Sequence, residues 1–552
     1  MLSWFVVPCL LVAVGERPYE AWVAEPVAAA ELPSSVVAAL SSDECAALGA
    51  AAPQVPYTDP TVGLRAPDGT VWLGTPRGLM HLPPGADAWR LFHSRRWLPH
   101  DEVTHLALDA QGTLWVATRD GVVRLKQQAT TLEAKMAEIH QALRAMHVQH
   151  GLVGSIHLHQ PGTTEHGWTQ HSNDNDGLWT SLYVAAEAFR YGVTGDEEAR
   201  RNARESLDAL LLLESVTGLP GYVARSVVPG DEPPPRQRYG GQWQHSADGK
   251  WWWKGDTSSD ELDGHYFAYA VYYDLVADAE EKAVIAAVVA RITDHILDHD
   301  YYYVGPDGKP TTWGVWAPEK LNHDLEWILD RGLNSLELLS HLKVAHHVTG
   351  DSRYEQAARE LIEQHSYHIN TVRQKVTWPA TEINHSDDEL AFLAYYPLLW
   401  YERDPELRRV YLTSIEWSWQ VERPEHSPLF GYIYAAARQA DEWTQPDRRP
   451  SEAFVPADEY DAALLADWFR EVPSDMIEWT VVNSGRADLG ALVPNRFGRD
   501  NAQRVLPVAE RRLMRWNGDP YELDGGAAGH GRDDGTYVLL PYWMGRWHRF
   551  LE

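Results

Sequence analysis

The stretch NSLELLSHLKVAHHVTGDSRYEQAARELIEQH, Asn334 to His365, decides the fold of most of this chain. Its first half is apolar nearly all round and its second half is polar along one face. Between them VTGD breaks the helical period at Gly350 and offers Asp351 as the cap of a second helix. This is a helical hairpin with a buried inner member and an amphipathic outer one. The arrangement recurs in GLWTSLYVAAEAFRYGVTGDEEARRNARESLDALLLLESVTG, Gly177 to Gly218, where the turn is again VTGD, at Val193 to Asp196. Further hairpins read in Ser258–Leu297 and Ser386–Trp419, with weaker pairs at Leu429–Arg438 and Asp458–Arg470.

Five or six hairpins suffice to close a ring. The spacing therefore predicts a mainly α protein whose residues 131–552 form an (α/α)6-type toroid, opening with the helical TLEAKMAEIHQALRAMHVQH from Thr131. The aromatic tail, from WNGDPYELDGG at Trp516 to the end, is expected to close the ring. Its Asp533, Asp534 and Tyr537 read as packing residues that reach towards the same opening.

Upstream, DGTVWLGTPRGLMHL (Asp68–Leu82) and QGTLWVATRDGVVRL (Gln111–Leu125) repeat each other, with Gly69 and Gly112 43 residues apart. A Gly turn, an alternating Trp strand, a second Gly turn and another strand make one propeller blade at that period. Residues 57–126 thus resemble the two-component-regulator type of propeller repeat, which in larger proteins forms sensor domains. Two blades do not close a propeller, so the segment is expected to be a small β remnant packed on the helical part.

The first residues, MLSWFVVPCLLVAVG, are too short an apolar run for an ordinary spanning helix, and residues 1–30 read as a signal peptide and leader. Export to the periplasm or the exterior follows, with no membrane insertion once the signal is removed. Its removal leaves Cys45 of the two cysteines, so neither a disulfide nor a cysteine metal site is expected. The net charge of −31 repels phosphate backbones, so nucleic acid is not an expected partner. No glycine-rich nucleotide loop supports a kinase or a dehydrogenase.

Four polar clusters stand immediately before inner helices: HSNDNDGLWT (His171–Thr180), WWWKGDTSSDELDGHYF (Trp251–Phe267), WILDRGLNSLE (Trp327–Glu337) and WPATEINHSDDE (Trp378–Glu389). Helix capping accounts for Asp, Asn and Ser at such positions. It does not account for the tryptophans beside them. Aromatic faces next to carboxylates suit sugar rings, whose C–H groups stack while their hydroxyls seek charged acceptors.

The candidate catalytic residues are Asp256, Asp260, Glu261 and His265 on one side, and His385, Asp387, Asp388 and Glu389 on the other. Glycoside hydrolysis needs a pair of facing carboxylates, one acid from each group, and the sequence does not choose within either. Candidate substrate-binding residues are Asp174, Asp176, Trp179, Arg225, Trp252, Trp253, Tyr266, Trp327, Arg331, Trp378 and Asn384. A lyase would instead use an arginine such as Arg225, Arg331 or Arg496 to neutralise a uronate, with His265, His385 or Tyr266 taking the proton. No metal or cofactor is expected. Two weaker metal readings are calcium at SNDNDG (Ser172–Gly177), which lacks the loop's closing Glu, and a transition metal at His245, His265, His323 and His385.

The helical part, residues 131–552, resembles the broad class of α/α-toroid carbohydrate-active proteins: glycoside hydrolases, unsaturated glucuronyl hydrolases, sugar epimerases and polysaccharide lyases. The resemblance implies an enzyme that cleaves glycosidic linkages in an oligo- or polysaccharide. Elimination at a uronate is the alternative chemistry, and a non-catalytic sugar-binding or sensory protein the alternative class.

Overall fold

The computed structural model describes residues 17–28, 40–49, 53–172, 174–232, 243–377, 383–440, 455–489 and 505–552. The chain is mainly helical, with small antiparallel sheets towards its N-terminus.

The repeats form two four-stranded antiparallel sheets. The first is a meander of β2 (Val62–Arg65), β3 (Val71–Thr75), β4 (Gly78–Leu82) and β5 (Arg90–Phe92). In the second, β6 (Val103–Leu108), β7 (Leu114–Thr118) and β8 (Gly121–Thr130) repeat that path, and the fourth strand is β1 (Tyr19–Val27). β1 pairs along its whole length with β8, from Tyr19 opposite Thr130 to Val27 opposite Val122. The N-terminal segment thus completes the second blade from outside the repeat. Gly69 and Gly112 hold φ of +95° and +82° at equivalent turns, a conformation that β-carbon-bearing residues rarely adopt. Trp22 from β1 sits edge-on to Trp72 at 5.5 Å and to Phe92 at 5.6 Å, tying the two sheets through one core.

Among the described residues twelve longer helices follow: α1 (Leu132–Met146), α2 (Asp176–Thr194), α3 (Glu197–Ser215), α4 (Ser259–Leu275), α5 (Ala279–Asp298), α6 (Arg331–Thr349), α7 (Ser352–His365), α8 (His385–Tyr401), α9 (Pro405–Glu422), α10 (Pro428–Gln439), α11 (Ala462–Glu471) and α12 (Thr536–His548). The even-numbered helices are buried nearly all round, as α2 shows from Asp176 to Phe189 and α4 from Glu261 to Tyr272. α2 packs on α4, α4 on α6, α6 on α8, α8 on α10, α10 on α12, and α12 back on α2, so their contacts run in a closed cycle. Each odd-numbered helix lies against one or two of them, α1 against α12. The tail therefore joins the last inner position to the first.

The outer helices are capped conventionally. Asp196, Asp278, Asp351 and Asp404 each accept a backbone N–H of the first turn, and Gly195 and Gly350 end the preceding inner helices in the left-handed region at φ +68° and +70°. Four of the inner helices, α2, α4, α6 and α10, differ. Asn175, Ser258, Asp330 and Ser427 stand at N-cap positions and make no capping side-chain bond.

The blades rest on the segment between α11 and α12. Arg90 pairs with Glu471 at 2.6 Å, Arg96 Nη2 donates to the Ile477 carbonyl at 2.6 Å, and the Leu91 N–H donates to Glu510 at 3.0 Å. Cys45 is buried beneath them as a free thiol. Among the described residues, no helix is long and apolar enough to cross a membrane.

Candidate functional site

The N-termini of α2, α4, α6 and α8 meet at one end of the cycle. Asn175 Nδ2, just before α2, donates to Asp260 Oδ2 in the first turn of α4 at 3.0 Å. Arg225 binds the same region from below. Its guanidinium donates to the Asp174 carbonyl at 3.0 Å, Asn175 Oδ1 at 2.5 Å and the Asp256 carbonyl at 2.8 Å, and pairs with the Asp174 carboxylate at 3.1 Å. Lys254 also donates to Asp174, and Ser226 to Asp176. Asp174, Asp176 and Arg225 are thereby held in one bonded group at the N-terminus of α2.

Close approach of α2 to α4 is made possible by glycine. A β-carbon at Gly177 would lie 2.1 Å from Glu261 Oε2 and 2.7 Å from His265 Cε1, and one at Gly264 would strike Leu178. Six carboxyl groups gather at this end: Asp260, Glu261 and Asp263 of α4, Glu337 of α6, and Asp387 and Glu389 of α8. Burial pushes Glu337, Asp387 and Glu389 up to about 8. Burial likewise holds Glu261 and Asp263 well above the ordinary carboxylate range. In all five the negative charge of Asp260 adds to the upward push, which places Asp260 at the centre of the group. Its own carboxyl is raised by burial, with Arg225 and the Asn175 bond opposing.

Accessibility separates these acids. Glu261, Asp263, Glu337 and Glu389 are fully buried, whereas Asp260 and Asp387 are half-buried. Asp387 accepts from Asn384 Nδ2 at 2.6 Å, and Asn384 also caps α8 through the Ser386 N–H. Asp388 points elsewhere: buried Lys375 donates to both of its oxygens at 2.5 Å and pairs with Glu422 at 2.9 Å.

Arg515 enters from the chain before α12. Its guanidinium lies 4.2 Å over the Trp179 ring, pairs with Asp533 at 3.2 Å and with Asp534, and opposes the upward shift of Glu389. Asp534, just before the Gly535 N-cap of α12, accepts from the Thr536 N–H at 2.8 Å and from its hydroxyl at 2.6 Å.

Of the remaining residues singled out from the sequence, His265 is buried, drawn down to about 4 by burial, with Nδ1 4.0 Å from Glu261. His385 lies 3.6 Å from both Asp388 and Asp519. Asp256 sits at φ +52° and accepts from Thr312 N–H and Oγ1 at 2.8 and 3.0 Å, turned away from the acid group. Trp253 and Tyr266 belong to the core: Trp253 is set edge-on to Tyr222, while Tyr266 stacks on His341 and bonds Thr293. Trp252 stands against His245 and donates to the Glu232 carbonyl. Trp327 and Arg331 are half-buried around the start of α6. Trp378 and Asn173 lie outside the described residues. Among the described residues no group of three or more His, Cys, Asp or Glu is placed to hold a metal ion.

Three contributors stand outside the residues singled out above. Asp263 and Glu337 are present in the quoted clusters but are not among the candidates drawn from them. Arg515 lies in the irregular tail, where no period marks it.

The family model described as two component regulator propeller matches residues 98–120, which span β6 and β7 of the second blade. No curated protein matches the chain.

Proposed function

We propose that this chain is an exported carbohydrate-active enzyme, that its helical part is an (α/α)6-type toroid, and that it cleaves glycosidic linkages in an oligo- or polysaccharide by paired-carboxylate general acid/base hydrolysis. The cyclic packing of six inner helices supports the toroid. The crowding of raised carboxyl groups around Asp260 carries the reading of function, because desolvating several acids costs free energy that capping alone does not explain.

Within that group the two acids that are only half-buried are Asp260 and Asp387. Asp387, raised to about 8, holds its proton at neutral pH and is the general acid that protonates the departing glycosidic oxygen. Asp260, shifted less and steadied by Asn175 and Arg225, is the carboxylate on the other side, acting on water or on the anomeric carbon. Burial, with the negative charges of Asp388, Asp330 and Asp260, holds Asp387 up against the opposing Lys375. No cofactor is invoked.

A second reading, a sugar-binding or sensory protein, is favoured by the propeller match at residues 98–120. Elimination at a uronate is less favoured, because Arg225, the arginine nearest the acids from α2 and α4, is committed to Asp174, Asn175 and Asp256. A product screen over neutral and uronate polysaccharides separates the three. New reducing ends without ultraviolet absorbance from unsaturated uronate identify a hydrolase, the two signals together identify a lyase, and binding without either identifies a sensor.

A further inference from the structure

A cleft of 610 Å³ separates the blades from the helical part, a volume in the range of about 300–1,000 Å³ that small-molecule sites occupy. β1, β5 and the loop after it form one wall. The other is made by α1, the end of α11 and residues 507–510. The acid group described above lies outside this lining.

The blade-side wall is aromatic. Half-buried Tyr19, Trp22 and Trp97 line it, and Trp97 stands edge-on to buried Phe92 at 5.1 Å. One cation already uses this surface, because Lys135 Nζ lies 5.7 Å over the Tyr19 ring.

The charges on the walls are unevenly satisfied. All four of the lining cations are committed: Arg90 pairs with Glu471 at 2.6 Å, Arg96 with Asp475, and Arg470 with Asp467 at 2.5 Å. Lys135 donates to the Phe469, Arg470 and Val472 carbonyls at 3.1, 2.7 and 2.8 Å, closing the end of α11. Of the remaining acids, Glu510 is bound by Arg486 at 2.6 Å. Glu20 and Glu138 are exposed, and among the described residues neither makes an ion pair or a hydrogen bond; Glu138 acts on Lys135 and Arg532 only through space. An anion entering the cleft meets no uncommitted cation. A cation meets two carboxylates and a set of rings, whose faces attract positive charge.

We propose that this cleft binds a small organic cation, an amine or quaternary ammonium on an apolar body, with its charge against Glu20 and Glu138 and its body on Trp22 and Trp97. Its two walls belong to the blades and to the helical part, so the ligand fastens one to the other and raises the stability of the pair. The site uses neither Asp260 nor Asp387.

Isothermal titration of the full chain with phenethylamine, 2-phenylethanol and phenylacetate tests it, since the three probes share one ring and differ in charge. Phenethylamine binds at least about tenfold more tightly than neutral 2-phenylethanol, and phenylacetate binds most weakly. Glu20→Gln and Glu138→Gln, both at exposed positions, each lose about three- to tenfold in phenethylamine affinity, and Trp97→Ala loses about tenfold. Asp260→Asn, which removes a charge from the acid group, binds the amine as the wild type does. The two glutamine variants carry the test if Trp97→Ala does not fold. Equal affinity for the three probes, no binding of the amine, affinity unchanged in Glu20→Gln and Glu138→Gln, or binding lost in Asp260→Asn overturns the cleft as a cation site.

Discussion

Lys375 donates to both carboxylate oxygens of Asp388 at 2.5 Å, while the preceding residue, Asp387, accepts from Asn384 and is only half-buried. Two adjacent aspartates in one helical turn thus carry different burdens. Breaking a buried pair leaves an uncompensated charge, so Asp388→Asn should destabilise the chain by about 3–5 kcal/mol. Asp387→Asn should cost less than about 1 kcal/mol and abolish cleavage. Urea unfolding midpoints of the two variants, measured beside their activities, check the division.

The raised acids make stability fall with pH. Glu337, Asp387 and Glu389 bind protons in the folded state up to about 8, whereas unfolded carboxyls release them near about 4. Their stabilising contribution is therefore complete below about pH 4 and is lost as pH rises through 8. Unfolding midpoints should decline across that window, and Glu389→Gln should flatten the decline. Activity should fall on the alkaline side as Asp387 loses its proton.

Gly177 is the position where α2 and α4 touch. Gly177→Ala would place a methyl group 2.1 Å from Glu261 Oε2, with His265 and Leu213 also within 3 Å. Overpacking of this kind costs about 1–3 kcal/mol, and the displaced α2 terminus should carry Asn175 away from Asp260. Lowered melting temperature with a loss of activity larger than unfolding explains is the expected result.

Strand β1 covers the edge of β8 along nine paired positions. A chain beginning after Val27 should expose that edge and lose Trp22 from the blade core, giving concentration-dependent light scattering that the full chain lacks. Trp22→Ala in the full chain should destabilise the blades by about 2–4 kcal/mol.

Much of the helical architecture is legible in the sequence because its signals are local. The VTGD turns announce Gly195 and Gly350 in the left-handed region and Asp196 and Asp351 as caps, as observed. The convergence of α2, α4 and α8 follows from hairpin alternation once the inner helices are recognised. What escapes is non-local. β1 belongs to the second blade through pairing with residues about a hundred positions away, and the stretch Tyr19–Val27 reads as leader because nothing within it marks a strand partner. Arg515 arrives from a tail without period. Choosing Asp387 over Asp388 needs Lys375, which no spacing rule connects to either. Asp256 looks equivalent to Asp260 on paper, yet a positive φ turns it to Thr312.

Asp260 and Asp387 are the proposed pair that cleaves a glycosidic bond. The most direct measurement is the release of reducing ends from a panel of neutral and uronate polysaccharides by the wild-type chain, Asp260→Asn and Asp387→Asn, with unfolding curves confirming that all three are folded. Release by the wild type and a loss of at least about a hundredfold in each variant are expected, since general acid/base groups contribute on that scale. Release that persists in both folded variants would contradict that assignment.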